Sequence, residues 1–522
     1  MEETKGRILW VDDEIDLLNP HIGFLIEKGY SVETATNGED AITLVRDSAF
    51  DLVFLDEMMP GMGGLKTLAV IKDLRPTLPV VMVTKNEEET LMEEAIGVKI
   101  SDYLIKPVNP SQILMACKKF LERKRIASQV VSKDYTQEFN QISMALTQGP
   151  GYEEWIDLYT RLVSWAVELD AHPELGFKQT YQDQVRECNL SFSKYIEKNY
   201  RDWMEGSTNR PVLSHELVDR FLIPELNTGR SLFFFVIDCM RLDQWLMFEE
   251  VLQESFDVSK QYYFSILPTA TPYSRNAIFS GSFPSDLELR FPELWEKSED
   301  DENSRNRYEK QFLEKLLERR KISLKPEPKY IKILDAEFGR TVESSIGSYF
   351  QTPLTAIVVN FVDMLAHGRS DSSLLKEIAP DESAYRSLTK SWFLHSSLLG
   401  MLRRLSKARN VTIILTTDHG SIRSLRGAKV LGDREASTNL RYKYGRNLKC
   451  EEKSAIFVKN PLEFKLPKRG VATNYIIARE DFYFVYPTDY HRYLSQYRDS
   501  FQHGGASMEE MILPVVKLVP RG

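Results

Sequence analysis

The chain has 522 residues, 42% of them hydrophobic and 27% charged, with a formal net charge of −9. These values describe an ordinary globular protein of several domains, and the acidic balance argues against broad nucleic-acid binding through a basic face. Four cysteines, Cys117, Cys188, Cys239 and Cys450, are scattered singly, which excludes a CxxC-type thiolate metal site and a disulfide framework.

Met1–Trp10 lacks a signal-peptide core, and the most apolar run, Leu232–Ile237, is far shorter than a membrane span. A cytoplasmic location with no membrane segment is therefore expected. Arg7–Val11, Val32–Ala35, Leu52–Leu55, Val80–Val83 and Ser101–Ile105 read as strands. Helices at Leu17–Lys28 and Glu39–Asp47 lie between them. This alternation predicts an α/β fold with a doubly wound, flavodoxin-like parallel sheet over residues 1–122.

Helical spacing takes over in 123–205. Trp155, Leu158, Tyr159, Leu162, Ala166 and Leu169 recur at three- and four-residue steps, as do Val185, Phe192, Tyr195 and Ile196. Such stripes must be buried against something. A central helical bundle is expected, serving as spacer and packing module or as a dimerisation and relay element. From 206 a second α/β domain begins, with strands at Ser231–Ile237, Lys329–Leu334, Thr355–Phe361, Val411–Thr416, Ser454–Val458 and Met511–Leu518. The charged segment Glu299–Arg307 reads as an exposed loop. The terminal LVPRG resembles a protease-site scar, so the domain is ended at 518 and residues 519–522 are set apart.

Asp12 and Asp13 end the first strand, Asp56 the third, Thr84 the fourth, and Lys106 follows the fifth. Ligands of open parallel sheets bind at these strand ends. Three converging carboxylates repel one another unless a divalent cation intervenes, and oxygen-only ligation suits Mg2+. The segments ILWVDDE, FLDEMMPGMGG, MVTK and YLIKP resemble the receiver-domain family. That resemblance implies Asp56 as phospho-acceptor, and Asp12, Asp13 and the Met58 carbonyl as Mg2+ ligands. It implies Thr84 and Tyr103 as switch residues, Lys106 as the phosphate-pairing lysine, and a sensor histidine kinase as partner.

In the second domain, Asp238, Asp363, His367, Asp418, His419 and His503 all lie near strand ends. Singly, each aspartate could be a helix cap and each histidine a structural residue. Together they suit two zinc ions, with manganese as the alternative, in the arrangement that clamps an in-line phosphoryl displacement. Thr271, in LPTATPYSRNAIFSG, precedes a proline and a helical run. It is either an N-cap or a nucleophile assisted by a helix N-terminus.

The segments VIDCMRLDQW, LPTATPYSRNAIFSG, VNFVDMLAHG, LTTDHG and FQHGG resemble the PglZ branch of the alkaline phosphatase superfamily, over about residues 206–518. The resemblance implies one zinc on Asp363, His367 and His503, and another on Asp238, Asp418, His419 and the Thr271 oxygen. It implies attack by Thr271 on phosphorus, then hydrolysis of the phosphothreonine. The order receiver, helical linker, PglZ domain resembles the PorX-like response regulators linked to type IX secretion.

The segment Asn439–Lys449 alternates basic and aromatic residues. Either it is a solvated loop, or Arg441 and Arg446 contact substrate phosphates while Tyr442 and Tyr444 stack on bases. A phosphodiester, such as an oligonucleotide, is favoured over a monoester on this ground. The leading expectation is a response regulator, phosphorylated on Asp56, that controls a zinc-dependent phosphodiesterase and forms a phosphorylation-dependent homodimer. The alternative is a signalling adaptor whose metal domain binds a sigma factor or secretion component. No helix-turn-helix pattern supports a DNA-binding domain.

Overall fold

The structure is a computed structural model that describes residues 4–85, 100–295, 306–433, 437, 439–468 and 472–521. Residues 299–305 of the charged segment expected to form an exposed loop lie outside the described residues; of its end, Asn306 is buried and Arg307 exposed. The chain divides into two compact units, Met1–Gln137 and Glu138–Gly522.

The first unit is built on β1 (Arg7–Val11), β2 (Ser31–Ala35), β3 (Leu52–Asp56), β4 (Val80–Thr84) and β5 (Asp102–Ile105). They form one parallel sheet in the order β2-β1-β3-β4-β5. β3 and β4 are buried at every position, as expected of strands covered on both faces. Leu9, Val11, Val53 and Leu55 pack on one side of the sheet, and Ile8, Trp10, Leu52 and Phe54 on the other. The helix expected at Leu17–Lys28 is a 3-10 turn, Ile15–Leu18, followed by Asn19–Glu27. Pro20 fits that start because a helix's first turn has no use for its missing N–H.

The second unit has a six-stranded main sheet. Its members are β6 (Ser231–Ile237), β7 (Phe256–Phe264), β8 (Lys329–Ile333), β9 (Leu354–Val359), β10 (Val411–Thr416) and β18 (Ile512–Pro520). The order is β7-β18-β10-β6-β9-β8, with β10, β6, β9 and β8 parallel and β18 and β7 antiparallel. Smaller sheets use β11 (Ile422–Ser424), β12 (Arg426–Lys429), β13 (Tyr442–Gly445), β14 (Ala455–Val458), β15 (Asn474–Ala478), β16 (Phe482–Val485) and β17 (Ser500–Gln502). The strand expected at Ser454–Val458 is present as β14 and lies in the small sheet β13-β15-β14, apart from the main one. β18 does not stop at Leu518: Val519 and Pro520 pair with Asp257 and Phe256, so part of the segment set apart at the end is built into the sheet.

The apolar stripes of the helices Tyr152–Ala171 and Lys178–Met204 are buried against the second unit's own core. Trp155, Leu158, Phe192, Ile196 and Trp203 share one cluster with Phe233, Phe235, Phe264 and Tyr273. Each buried aromatic there contributes roughly 2–3 kcal/mol. Polar contacts reinforce the joint: Tyr200 accepts from Leu267 N at 2.8 Å, and Asn189 donates to Glu509. Among the described residues, no helix is long and apolar enough to cross a membrane.

Candidate active site

The first unit brings Asp12, Asp13 and Asp56 together at the carboxyl ends of β1 and β3, with one oxygen of each within 4.8 Å of the others. Lys106 Nζ lies 2.8 Å from Asp12 and 3.0 Å from Asp56. Burial raises Asp56 above its ordinary range, and the Asp12 charge adds to that; the Lys106 hydrogen bond opposes both. Three carboxylates against one lysine leave a net negative, all-oxygen cradle, which fits Mg2+. Thr84 donates to Glu57 at the end of β4, and Tyr103 on β5 is 43% exposed. Met58 lies two residues beyond Asp56, in the segment after β3.

In the second unit, the carboxyl ends of three adjacent parallel strands supply most of the site. Asp238 follows β6, Asp418 and His419 follow β10, and Asp363 sits in the first turn of the helix Phe361–Asp371 after β9. His367 is one turn further along that helix, on the same face as Asp363. His503 follows β17. The N-cap reading fails for Thr271. Ala270 is the cap, and Thr271 is the first residue of the helix Thr271–Ser280, with Pro272 next. Nor is Asp238 a cap: the next helix, Leu242–Leu252, is capped by Arg241.

Two clusters result: Asp363, His367 and His503; and Asp238, Asp418 and His419. His367 Nε2 and His503 Nε2 face each other at 3.4 Å, with Asp363 Oδ1 at 3.4 and 3.6 Å from them. Two nitrogens on one tetrahedral zinc ion stand roughly 3.3 Å apart. The spacing of these donors fits a shared cation. In the second cluster, His419 Nδ1 donates to Gly420 O at 3.1 Å, which leaves the Nε2 lone pair facing Asp238 and Asp418, each at 3.7 Å. Thr271 Oγ lies 3.0 Å from that nitrogen and 3.5 Å from Asp238 Oδ1. The His419 and His503 rings stack at 4.2 Å, so the clusters are neighbours.

Burial holds His419 down at about 4, which keeps the imidazole neutral and able to ligate. Burial pushes Asp238 well up, aided by the nearby Asp418, and the Arg275 charge opposes this. For Asp418, burial is outweighed by Arg275 and His419, and its carboxyl is held down. Asp363 is likewise held low, its burial overcome by His367 and the other histidines.

The metal and nucleophile residues expected in this domain converge; the two expected phosphate contacts, Arg441 and Arg446, do not join them. Arg441 is 0% exposed, contacts the Phe482 carbonyl and pairs with Glu510 at 2.5 Å. It cannot meet a substrate phosphate without abandoning a buried carboxylate. Glu510 in turn accepts from Gly505 N at 2.8 Å, so Arg441 supports the His503 loop from behind. A side chain on Gly505 would strike the Arg441 guanidinium at 2.2 Å. The segment 439–449 is not a solvated loop either. Tyr442, Lys443 and Tyr444 are buried in β13, and Tyr442 packs edge-on against Tyr273 rather than awaiting a base. Lys443 is pulled down to about 7 by burial. Arg446 and Lys449 are exposed.

Two residues of the site were not anticipated. Arg275, one turn past Thr271, contacts Asp238, Asp418 and Glu309. Its i, i+4 spacing from Thr271 was visible in the sequence. Glu309 carried no such signal.

Family models match three segments: the response regulator receiver domain over residues 8–118, the PorX response regulator linker domain over 125–204, and the BREX system PglZ alkaline phosphatase-like domain over 217–518. The alginate biosynthesis transcriptional regulatory protein AlgB of Pseudomonas syringae pv. tomato is 38% identical over 128 residues, 24% of this chain and 29% of that protein. The transcriptional regulatory protein ResD of Bacillus subtilis is 32% identical over 124 residues, 24% of this chain and 51% of that protein. The chain thus spans less than two thirds of these relatives. Among solved structures, the receiver domain of NtrX from Brucella abortus is 33% identical, with a TM-score of 0.21, covering 22% of this chain and 98% of that one. A CheY-like receiver domain protein from Methanospirillum hungatei is 30% identical, with a TM-score of 0.22, covering 22% and 94%. The chain belongs to the PglZ alkaline phosphatase-like family, and it carries that domain behind a receiver and a linker in the PorX-like order.

Proposed function

We propose that the C-terminal domain is a zinc-dependent phosphoesterase with Thr271 as nucleophile, and that phosphorylation of Asp56 controls it. The observation that carries this reading is the position of Thr271 Oγ. It lies at a helix N-terminus, 3.0 Å from His419 Nε2 and 3.5 Å from Asp238 Oδ1, beside two three-ligand clusters.

Zinc, when bound, supplies Lewis-acid stabilisation of the charge that develops on the phosphoryl oxygens. The chain supplies the rest. The helix N-terminus favours negative charge on Oγ as its proton leaves. Thr271 Oγ attacks phosphorus, the ester P–O bond breaks, and the alcohol departs from a phosphothreonine. Water then attacks that phosphorus, releases phosphate or a monoester, and restores the hydroxyl. Gly420 fixes the His419 ring through Nδ1, and Thr269 holds the nucleophile segment to the His503 loop through Gly504 N at 3.1 Å and Gly505 O at 2.8 Å. Reacting groups held this way avoid the entropy of assembling them.

Within phosphoesters we favour a diester, with Arg446 and Lys449 as the exposed charges of the 439–449 segment; Arg441 is withdrawn from that role. The receiver implies a sensor kinase upstream, and the PorX-like order supports a place in regulation of type IX secretion. Hydrolysis of an aryl phosphodiester and its monoester by zinc-loaded protein, with Thr271→Val alongside, tests the enzyme. Turnover lost in the variant supports the nucleophile, and the diester-to-monoester ratio sets the substrate class. Zinc-loaded wild type no faster than Thr271→Val would refute the hydrolase and favour the adaptor.

A further inference from the structure

Arg275 shares a helix face with Thr271 and is 0% exposed. Its guanidinium reaches three carboxylates. Nη2 contacts Asp238 Oδ2, Nε lies 3.0 Å from Asp418 Oδ2, and Nη1 lies 3.4 Å from Glu309 Oε1. Glu309 is itself anchored by Tyr330 Oη at 2.6 Å and Lys332 Nζ at 3.2 Å. A chain of contacts therefore runs from half-buried Lys332 through buried Glu309 and Arg275, and ends on two of the three groups of one cluster.

The contact pattern discriminates between the two oxygens of Asp238, whereas on Asp418 it takes Oδ2, which also faces His419 Nε2 at 3.7 Å. Arg275 takes Asp238 by Oδ2 and leaves Oδ1 facing Thr271 Oγ at 3.5 Å and His419 Nε2 at 3.7 Å. Asp418 is fixed from both sides: its Oδ1 accepts from His419 N at 3.2 Å and Cys239 N at 3.4 Å, and its Oδ2 meets Arg275. A guanidinium can do this because its N–H groups point in fixed directions across a plane. A lysine ammonium is a single point charge and cannot span both carboxylates. The ion pairs of Arg275 with Asp238 and Asp418 place its influence on the Asp238–Asp418–His419 cluster.

We propose that Arg275 is a positioning residue: its fork sets which Asp238 oxygen and which Asp418 orientation face the Asp238–Asp418–His419 cluster, and so sets zinc affinity there and not at the Asp363–His367–His503 cluster. The proposal rests on the metal-dependent reading above. Partners that orient ligands typically change metal affinity ~10–100-fold when removed.

The test is zinc stoichiometry and affinity of the full chain, by competition with a chromophoric chelator at buffered free zinc. Wild type, Arg275→Met, Arg275→Lys and Glu309→Gln are compared, each with a melting curve. The expected result is two ions in wild type and a ~10–100-fold weakening of one of them in Arg275→Met. Arg275→Lys recovers part of the loss, and Glu309→Gln, which keeps the arginine but removes its anchor, shows a smaller fall at the same site. Both ions weakening together, in step with the melting temperature, overturns the proposal in favour of a purely structural arginine. Unchanged affinities in folded Arg275→Met overturn it too. Should Arg275→Met fail to fold, Glu309→Gln decides, and wild-type affinities there overturn the proposal. Wild type that binds no zinc refutes the metal reading itself, and the proposal with it.

Discussion

Glu509 offers a pH signature that can be worked from the structure. It lies in the short helix Met508–Met511, 9% exposed, and receives Asn189 Nδ2 at 3.0 and 3.1 Å from the helix Lys178–Met204. Burial first, and the Glu382 carboxylate second, raise it from its ordinary 4.5 to about 7, against smaller help from Asn189 and Arg241. A carboxyl whose native pKa is raised adds stability that is fully present below the unfolded value and is lost as pH climbs through the native one. The window is therefore about 4.5 to about 7. At ~1.4 kcal/mol per tenfold, the loss across it is roughly 3 kcal/mol.

Glu509→Gln removes the charge and keeps the shape, although its amide must present an NH2 beside that of Asn189, at a cost of about 1 kcal/mol. The variant should exceed wild type by roughly 2 kcal/mol at pH 8 and fall about 1 kcal/mol below it at pH 4.5. Denaturant unfolding of both proteins followed by tryptophan fluorescence, at steps between these pH values, measures the difference while other titrating groups cancel. A difference that stays flat with pH, or a variant weaker than wild type at pH 8, would refute the reasoning.

A Cβ on Gly420 would sit 1.9 Å from the Glu509 carbonyl oxygen, so Gly420→Ala must move the backbone beside His419. It should lower stability by ~1–3 kcal/mol and release zinc from the His419 cluster first; full zinc content with an unchanged melting curve would contradict this. Arg441→Ala strands Glu510 in the core and should destabilise by ~3–5 kcal/mol, whereas Arg446→Ala should stay within about 0.5 kcal/mol; comparable melting of the two variants would count against the buried pair. Arg446→Glu should lower dinucleotide hydrolysis more than aryl ester hydrolysis, and equal losses would remove this segment from the substrate site. Sedimentation of wild type with and without a small phosphodonor should show a donor-dependent dimer that Asp56→Ala lacks; no change in wild type would end the dimer proposal.

By itself the sequence determined the strands whose apolar runs are continuous. β1, β6 and β10 have the expected limits because burial on both faces, complete in β6 and β10 and broken only at Arg7 in β1, leaves one register for such runs. It also located Asp238, Asp363, His367, Asp418, His419 and His503, since strand-end carboxylates and histidines are ordered by topology, which local sequence can express. Tertiary structure alone decided what Arg441 and Tyr442 do. A basic, aromatic segment reads as a surface, and distant partners, Glu510 69 residues away and the Phe482 carbonyl, make burial of that arginine tolerable. The same holds for Arg275 and Glu309, whose partners are distant along the chain, and for β7, an edge strand whose residues 257–262 are exposed or half-buried and so show no apolar run. The helical stripes announced that something covers them. That the cover is the core of the hydrolase-like domain follows from long-range packing, which periodicity does not encode.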